Sequence, residues 1–583
     1  MSAPVVPRSA GARRVDVLLV WLPALVAAAL LLHRVPWPRS GQVVLFRDDV
    51  AVPHPVLPTR WAHADPAALR AWPLDGVVWV LGHVVPTGVQ QVATLWLALV
   101  LAGAGAAVLT RRVLAGTQPA AGLASEGQAT ALLAAGPVAA VLAVVNPYTV
   151  ERLLLGQAPT LLGYAMLPWA VVAARSGGTA RRRALLVGLA LLPAALTPWG
   201  IVVAGVAALA AGWLPRPVPR AGVATVATAA VVVVLAAPWL VPALRTGAGG
   251  AADPDGAPAF ALRDDTGWGL LPSALTGGGV WSAGATPASR AQALPLLAGV
   301  VLVLLATAGL VWLARRDRRR STVAAAAWLP PPLLATLAAT WLLPAVTWAQ
   351  RVPAVALLRD AHRGQAPSVL AAAVLAAIGT AVLSRGVTAG LAHPGRGATA
   401  LGSGLAAVLG VALAVTTSPD AARLLGAGYA PARYPPGWSA ALGALDAGGT
   451  EDAGGTEDAG GTEDEGGTVV SLPWQPLRAT PFSSGRTFLD PTPRAVPGRV
   501  LTDDRLTVVR DGRRWEVQDT PVDPATVAAL RAGRVPSGWA GREHVTRVLV
   551  WRSSPGAPLR PAPGWREVYR DPDLAVWVRA TTP

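Results

Sequence analysis

The sequence predicts an all-α polytopic membrane bundle followed by a small extracytoplasmic α/β domain. Three observations carry this. Of 583 residues, 53% are hydrophobic and 14% charged, and mean hydropathy is +0.45. Apolar runs of about 18 residues or more, long enough for a hydrocarbon core of about 30 Å, recur through the first 420 positions. Arg residues cap those runs instead of interrupting them. A soluble enzyme, a disordered chain and a disulfide scaffold are excluded. The absence of Cys removes thiolate metal sites and Cys nucleophiles. The net charge of +16 comes from Arg alone, with no Lys. Its placement at the ends of apolar runs, not on one soluble face, argues against nucleic acid.

Arg13 and Arg14 precede an apolar run from Val15 to Leu32. A positive flank before a first span places the N-terminus in the cytoplasm. The run is longer than a signal-peptide core and no clear Ala-x-Ala site follows it, so an uncleaved helix is expected. Further runs cover 89–110, 127–145 and 158–174. Residues 184–214 hold two short helices broken at Thr197-Pro198-Trp199-Gly200. Runs at 221–243, 291–314, 322–345, 366–384 and 401–417 complete about eleven spans. Arg111-Arg112 and Arg315 to Arg320 mark the cytoplasmic side, and an odd count sends the C-terminus outside.

The membrane domain is expected over 1–417, with external segments 34–88, 245–290 and 346–365. The outer domain is expected over 418–583. Within it, Ala-Gly-Gly-Thr-Glu-Asp repeats from Ala447 to Asp464, and 447–468 reads as an acidic solvated linker. The period of six does not match calcium-binding β-helix repeats. Strands are expected at Val469–Leu472, Leu506–Val509 and Val545–Trp551. Asp511-Gly512 marks a hairpin turn towards Trp515-Glu516-Val517. Asp523-Pro524 starts a short helix that Gly533 ends.

The span interiors hold almost no ionisable groups, which weighs against an ion-coupled transporter. Acids and Arg gather instead in four groups at external span ends. These are Phe46-Arg47-Asp48-Asp49 with His54 and Asp75; Asn146-Pro147-Tyr148 with Glu151, Arg152 and Gln157; Arg263-Asp264-Asp265 with Gly278-Gly279-Val280-Trp281; and Arg359-Asp360-Ala361-His362-Arg363. Such groups at headgroup height suit a reaction between a lipid-borne substrate and an aqueous acceptor. A sugar on a polyprenyl phosphate has a good leaving group. Its acceptor hydroxyl, on a polysaccharide or glycolipid, needs a carboxylate base. Arg neutralises the departing phosphate.

Each residue also has a plain structural role to offer. Asp48-Asp49 reads as a solvated turn, Glu151-Arg152 as a local ion pair, Arg359-Asp360 as an interfacial anchor, and Asn146-Pro147 as a helix stop. Trp281 belongs to an interface belt, and His54 and His362 are polar loop residues on the same view. The acids could accept a divalent cation, but no spacing demands one. No Gly-Lys-Ser/Thr phosphate loop or G-x-S-x-G elbow occurs.

The arrangement resembles the GT-C superfamily of integral-membrane glycosyltransferases. More narrowly, it resembles the membrane portion of actinobacterial arabinofuranosyltransferases. Phe46 to Asp49, Asn146 to Gln157, Gly278 to Trp281 and Leu358 to Asp360 carry this, with Tyr434-Pro435, Trp438 and Leu472-Pro473-Trp474 in the outer domain. The resemblance implies inverting transfer of a sugar from a polyprenyl-phosphate donor in cell-wall assembly, on the outer face of the plasma membrane. Asp48 or Asp49 is then the base, and Arg47, Arg152 and Arg359 lie near the donor phosphate. His54, Asp75, Tyr148, Glu151, Gln157, Asp264, Trp281, Asp360 and His362 complete the cavity candidates. A lipid or polysaccharide transporter and a non-catalytic scaffold are the alternatives.

Overall fold

The computed structural model describes residues 10–57, 71–115, 134–213, 221–246, 252–352, 358–391, 396–450 and 467–580, apart from 511, 521, 559 and 562. Helices occupy the apolar runs, at Ala10–Leu32, Thr87–Ala115, Ala135–Val144, Ala158–Ala174, Ala180–Leu191, Pro198–Trp213, Ala221–Thr246, Ala293–Arg316, Arg318–Trp328 continued by Pro330–Ala338, Ala366–Leu391 and Arg396–Thr416. Among the described residues, five helical stretches are long and apolar enough to cross a membrane. A sixth passes if Leu401–Thr416 and Ala421–Gly428, bent by 53°, form one broken span. The helices at 158–174 and 198–213 are apolar but shorter, so length alone does not make about eleven spans of these runs.

Small residues set how closely the helices pack. Helices Ala293–Arg316 and Ala366–Leu391 touch backbone to backbone at Gly309 and Gly379. A Cβ on Gly309 would run into the Leu375 carbonyl, and one on Gly379 into the Leu305 carbonyl. Membrane helices gain from such contact because lipid offers no hydrophobic drive for pairing. Thr197 marks the break between Ala180–Leu191 and Pro198–Trp213. Its hydroxyl accepts from the Gly200 amide at 3.1 Å, satisfying a free donor at the start of the new helix.

The two ends of the bundle differ in chemistry. Near the C-terminal end of Thr87–Ala115, Arg320 donates to the Val113 carbonyl at 2.7 Å. The Arg111-Arg112 and Arg315 to Arg320 clusters therefore share one end. Near the opposite end, Gln91 donates to Asp49 at 2.7 Å. The helix between has 29 residues, which at 1.5 Å per residue separates the ends by about 43 Å.

The C-terminal region folds around a five-stranded mixed sheet in the order Trp565–Arg570, Leu574–Arg579, Val545–Trp551, Thr468–Leu472, Val500–Leu501. Val545–Trp551 pairs parallel with Thr468–Leu472, so the chain between them crosses over. Leu506–Arg510 and Arg513–Val517 form the hairpin expected at Gly512, whose φ of 73° is in the left-handed region; Asp511 lies outside the described residues. The Asp523 side chain caps Pro524–Arg531 through the Thr526 amide at 2.8 Å. Most of the acidic repeat, 451–466, lies outside the described residues.

The segment that follows the first helix is sewn to this domain. Strand Val43–Phe46 turns back onto Asp49–Val50 and also pairs with Pro431–Ala432. The Arg47 amide donates to Thr487 at 2.8 Å, and the Leu489 amide donates to the Arg47 carbonyl at 2.8 Å. Val43–Phe46 is apolar throughout and shows no alternation that would mark a strand, and its second partner, Pro431–Ala432, is remote in sequence.

Gly379→Ala is expected to lower unfolding stability by about 1–3 kcal/mol, the range for overpacking a close contact. Gly404→Ala, where a Cβ meets nothing within 4 Å, is the control and should leave stability unchanged or slightly raised. Equal melting of both variants in detergent would contradict the close helix crossing.

Candidate functional site

The second external group is built first. Asn146 stops one helix and starts the next. Its side-chain amide donates to the Leu142 and Ala143 carbonyls, and its oxygen accepts the Thr149 amide at 2.9 Å. Pro147 then sits in the first turn of the short helix Pro147–Leu154, where a missing N–H costs nothing. Every residue of that helix is buried. Gly156 follows at φ 77°. A Cβ there would stand 2.6 Å from the Asp49 amide nitrogen and 2.7 Å from that of Asp48. Glycine therefore lets the first external hairpin lie directly on the turn that carries Gln157.

The charges of Glu151 and Arg152 do not pair with each other. Both are fully buried, and each reaches a different segment. Arg152 donates to both Asp360 oxygens, at 2.7 and 2.8 Å, and to Gln157 Oε1 at 2.8 Å. With its oxygen held there, Gln157 turns its Nε2 towards Asp48 and donates at 2.9 Å. The bidentate fork supplies both the charge and the planar fit that a buried guanidinium needs.

Arg152 also donates to His362 Nδ1 at 2.8 Å. That nitrogen is then the acceptor, and the ring proton sits on Nε2, 3.2 Å from Glu151 Oε2. Burial, together with the Arg152 charge, pushes His362 down to about 3, so the imidazole is neutral at pH 7. Burial and the neighbouring Asp265 charge push Glu151 well up. Burial acts the same way on Asp265, but the Arg290 guanidinium outweighs it and holds that carboxyl low. Arg290 donates to Asp265 at 3.0 Å and to Thr276 at 2.8 Å. Arg152–Asp360 and Arg290–Asp265 are the two buried ion pairs of the network. The Val280 amide donates to Glu151 at 3.1 Å, tying in the Gly278-Gly279-Val280 turn.

Beside this network lies a cavity of about 100 Å³. The first hairpin contributes Asp48 and Asp49, helix Leu74–Gly82 contributes Asp75, and Thr87–Ala115 contributes Gln91. Pro159 lines it from the helix after Gln157, and Arg494 and Val496 from the C-terminal domain. The two adjacent acids differ. Asp48 is the more exposed residue, yet desolvation pushes its carboxyl up as well, against the Gln157 hydrogen bond and the guanidiniums of Arg363, Arg47 and Arg152. Asp49 is 8% exposed and accepts from the Gln91 amide. Burial pushes its carboxyl up to about 6 against that hydrogen bond and the Arg494 charge.

The four groups of acids and Arg therefore meet, though not every candidate does. Asp48, Asp49 and Asp75 line the cavity. Gln157, Arg152, Asp360, His362 and Glu151 form the network behind it, and the Tyr148 ring lies 5.0 Å from the His362 ring. Arg47 points elsewhere, donating to the Leu154 and Gly284 carbonyls, each at 2.7 Å. Arg359 lies over Phe260 and pairs with Asp519 at 2.7 and 3.0 Å. Asp264 organises its own loop, accepting from the amides of Thr266, Gly267 and Gly269. Trp281 packs edge-on against Phe260. His54 is exposed and does not line the cavity. Sequence reasoning missed Arg290 and Arg494. Arg290 had a signal, as a lone Arg at the external end of an apolar run. Arg494 had none, being one Arg among many in the outer domain. Among the described residues no group of three His, Asp or Glu is arranged to hold a metal ion.

No family model matches the chain, and no curated protein matches it. Among solved structures it is similar to the archaeal oligosaccharyltransferase AglB from Archaeoglobus fulgidus in complex with an inhibitory peptide and a dolichol-phosphate. Identity is 13%, the TM-score is 0.42, and the match covers 93% of this chain and 70% of that one.

Removing Asp360 leaves the Arg152 guanidinium buried without its partner. Asp360→Asn is expected to cost about 3–5 kcal/mol of unfolding stability. Asp519→Asn, at a partly exposed pair, should cost clearly less. The pH dependence follows in sign. Burial raises the Asp360 carboxyl, but Arg152 outweighs it and the net direction is down. Its contribution is present above the unfolded value of about 3.9 and lost as pH falls through the lower folded one. His362, lowered to about 3, stabilises fully above its unfolded value of about 6.5, and that contribution falls away towards pH 3. His362→Gln should flatten the melting-temperature profile between those values. An unchanged slope would contradict a neutral, buried imidazole.

Proposed function

We propose that this protein is a membrane glycosyltransferase of GT-C type, moving a sugar from a polyprenyl-phosphate donor to a polysaccharide or glycolipid hydroxyl. On this reading the membrane domain, 1–417, crosses about eleven times. The N-terminus is cytoplasmic, and the domain at 418–583 lies outside with the Asp48–Asp49 cavity. The separation of the Arg clusters from the acids along Thr87–Ala115 supports that orientation.

One observation carries the reading: Asp49, a cavity-lining carboxyl pushed up to about 6, shares that cavity with the Arg494 guanidinium. A base works best when its pKa lies near the working pH. Asp49 takes the proton of the acceptor hydroxyl while the hydroxyl oxygen attacks the anomeric carbon. The bond from that carbon to the phosphate oxygen breaks, prenyl phosphate leaves, and the anomeric centre inverts. Asp48, held by the Gln157 amide with three guanidiniums nearby, fixes the hairpin. The leaving phosphate needs a cation, and of the Arg residues lining the cavity Arg494 is the one placed there. No step requires a divalent ion.

Asp49→Asn is expected to reduce transfer from a radiolabelled prenyl-phosphate sugar by about 100-fold or more, the usual worth of a positioned base. Wild-type transfer should rise with pH through about 6. Stability moves the other way: a raised folded value gives a contribution that is full below the unfolded value and lost as pH rises through about 6. The Asn variant should therefore melt no lower than wild type at pH 7.5. Full transfer by a folded Asp49→Asn protein would remove Asp49 from the reaction.

A further inference from the structure

The cation in the cavity is not free. Arg494 Nε lies 3.4 Å from Asp75 Oδ2, and Nη1 donates to the Val50 carbonyl. The Asp75 contact is long for a charged hydrogen bond, and the two side chains remain 29% and 22% exposed. The Asp75 charge is the largest influence pushing the Arg494 guanidinium up from its ordinary value. This pair joins two segments 419 residues apart and stands at the wall of the cavity that also holds Asp49.

Asp75 rides on an unusual element. Helix Leu74–Gly82 has no fully buried residue. Leu74, Asp75 and Val78 line the cavity. Val77, Val80 and Leu81 point away from it and are exposed. Two apolar faces, with one acid on the inner one, suit a helix lying at a lipid boundary. The other cavity walls are largely apolar, including Val50, Val56 and Val496. The hollow therefore joins a greasy wall to a single guanidinium, with the carboxyls of Asp48, Asp49 and Asp75 also on its lining.

We propose that Asp75 is a place-holding counter-ion for Arg494, displaced when the phosphate of a lipid phosphate enters beside helix Leu74–Gly82. The proposal deepens the functional reading above and rests on it for the identity of the ligand. A guanidinium can take a phosphate as a fork, which Arg494 does not make with Asp75, and a phosphate monoester carries more charge than a carboxylate. While the cavity is empty, Asp75 prevents an unpaired guanidinium at an apolar wall. When the ligand is bound, Asp75 opposes it as a like charge. Selectivity then comes from both ends: neutral lipids give Arg494 nothing to exchange for Asp75, and small anions leave the apolar wall unfilled. The C-terminal domain thereby supplies the anion-binding group of a site whose base belongs to the membrane domain.

The test is equilibrium binding of radiolabelled farnesyl phosphate to the full-length protein in lipid nanodiscs, with farnesol and inorganic phosphate as competitors. Wild type should bind farnesyl phosphate and be displaced poorly by either competitor. Arg494→Gln should weaken binding by about tenfold or more, the worth of a charged hydrogen bond, and Arg494→Lys should lose less. Asp75→Asn should tighten binding several-fold, because the competing carboxylate is gone. Unchanged binding in Arg494→Gln overturns the proposal. So does weakened binding in a folded Asp75→Asn protein, or displacement by inorganic phosphate as effective as by unlabelled farnesyl phosphate. If Arg494→Gln fails to fold, the Asp75→Asn and Arg494→Lys results decide. The expected binding pattern without any sugar transfer would leave the counter-ion exchange standing and remove the transferase reading. Transfer with Arg494-independent binding would do the reverse.

Discussion

The buried fork between Arg152 and Asp360 is the constraint on which the outer end of this molecule depends. An isolated guanidinium away from water costs several kcal/mol, and a partner must be found wherever the fold places it. Here the partner comes from another external segment, 208 residues along the chain. The fork then dictates the rest. It leaves a third Arg152 contact for Gln157, fixes which way that amide faces, and so aims a donor at Asp48. It also holds His362 through Nδ1, which leaves the ring proton on Nε2. Four loops that could each have wandered are held to one another by hydrogen bonds that no water can replace.

The neighbouring acids are both pushed up by burial but meet different partners. Asp48 sits within reach of three guanidiniums, whereas Asp49 turns to an amide and a cavity wall. Adjacent residues on a tight hairpin face different environments, and environment more than residue type sets proton affinity. The same logic pushes Glu151 up and holds Asp265 low, although both are carboxyls near Arg290.

Much of this was legible in the sequence, and the part that was not has a common cause. Apolar run length and Arg placement indicated the helices at 87–115, 293–316 and 366–391 because those signals are local. Val545–Trp551, the hairpin at Gly512 and the Asp523 cap were legible for the same reason. The clustering of acids and Arg at external span ends pointed to the right regions of the chain. Partnership was not legible. Glu151 and Arg152 are adjacent and pair with others. Arg359, read as facing a phosphate, instead meets Asp519. Arg494 reaches the cavity from a domain whose many Arg residues look alike in sequence. Pairings between segments hundreds of residues apart depend on tertiary geometry, which one sequence does not encode in any local pattern.

The central claim is that the C-terminal domain closes the cavity formed by the first external segment. A direct measurement uses the fact that the chain contains no Cys. Asp75→Cys combined with Arg494→Cys, treated in native membranes with a short bifunctional thiol reagent, should yield an intramolecular crosslink that survives denaturation. Either single variant should yield none. Failure of the double variant to crosslink, with both thiols shown to react separately, would contradict the account.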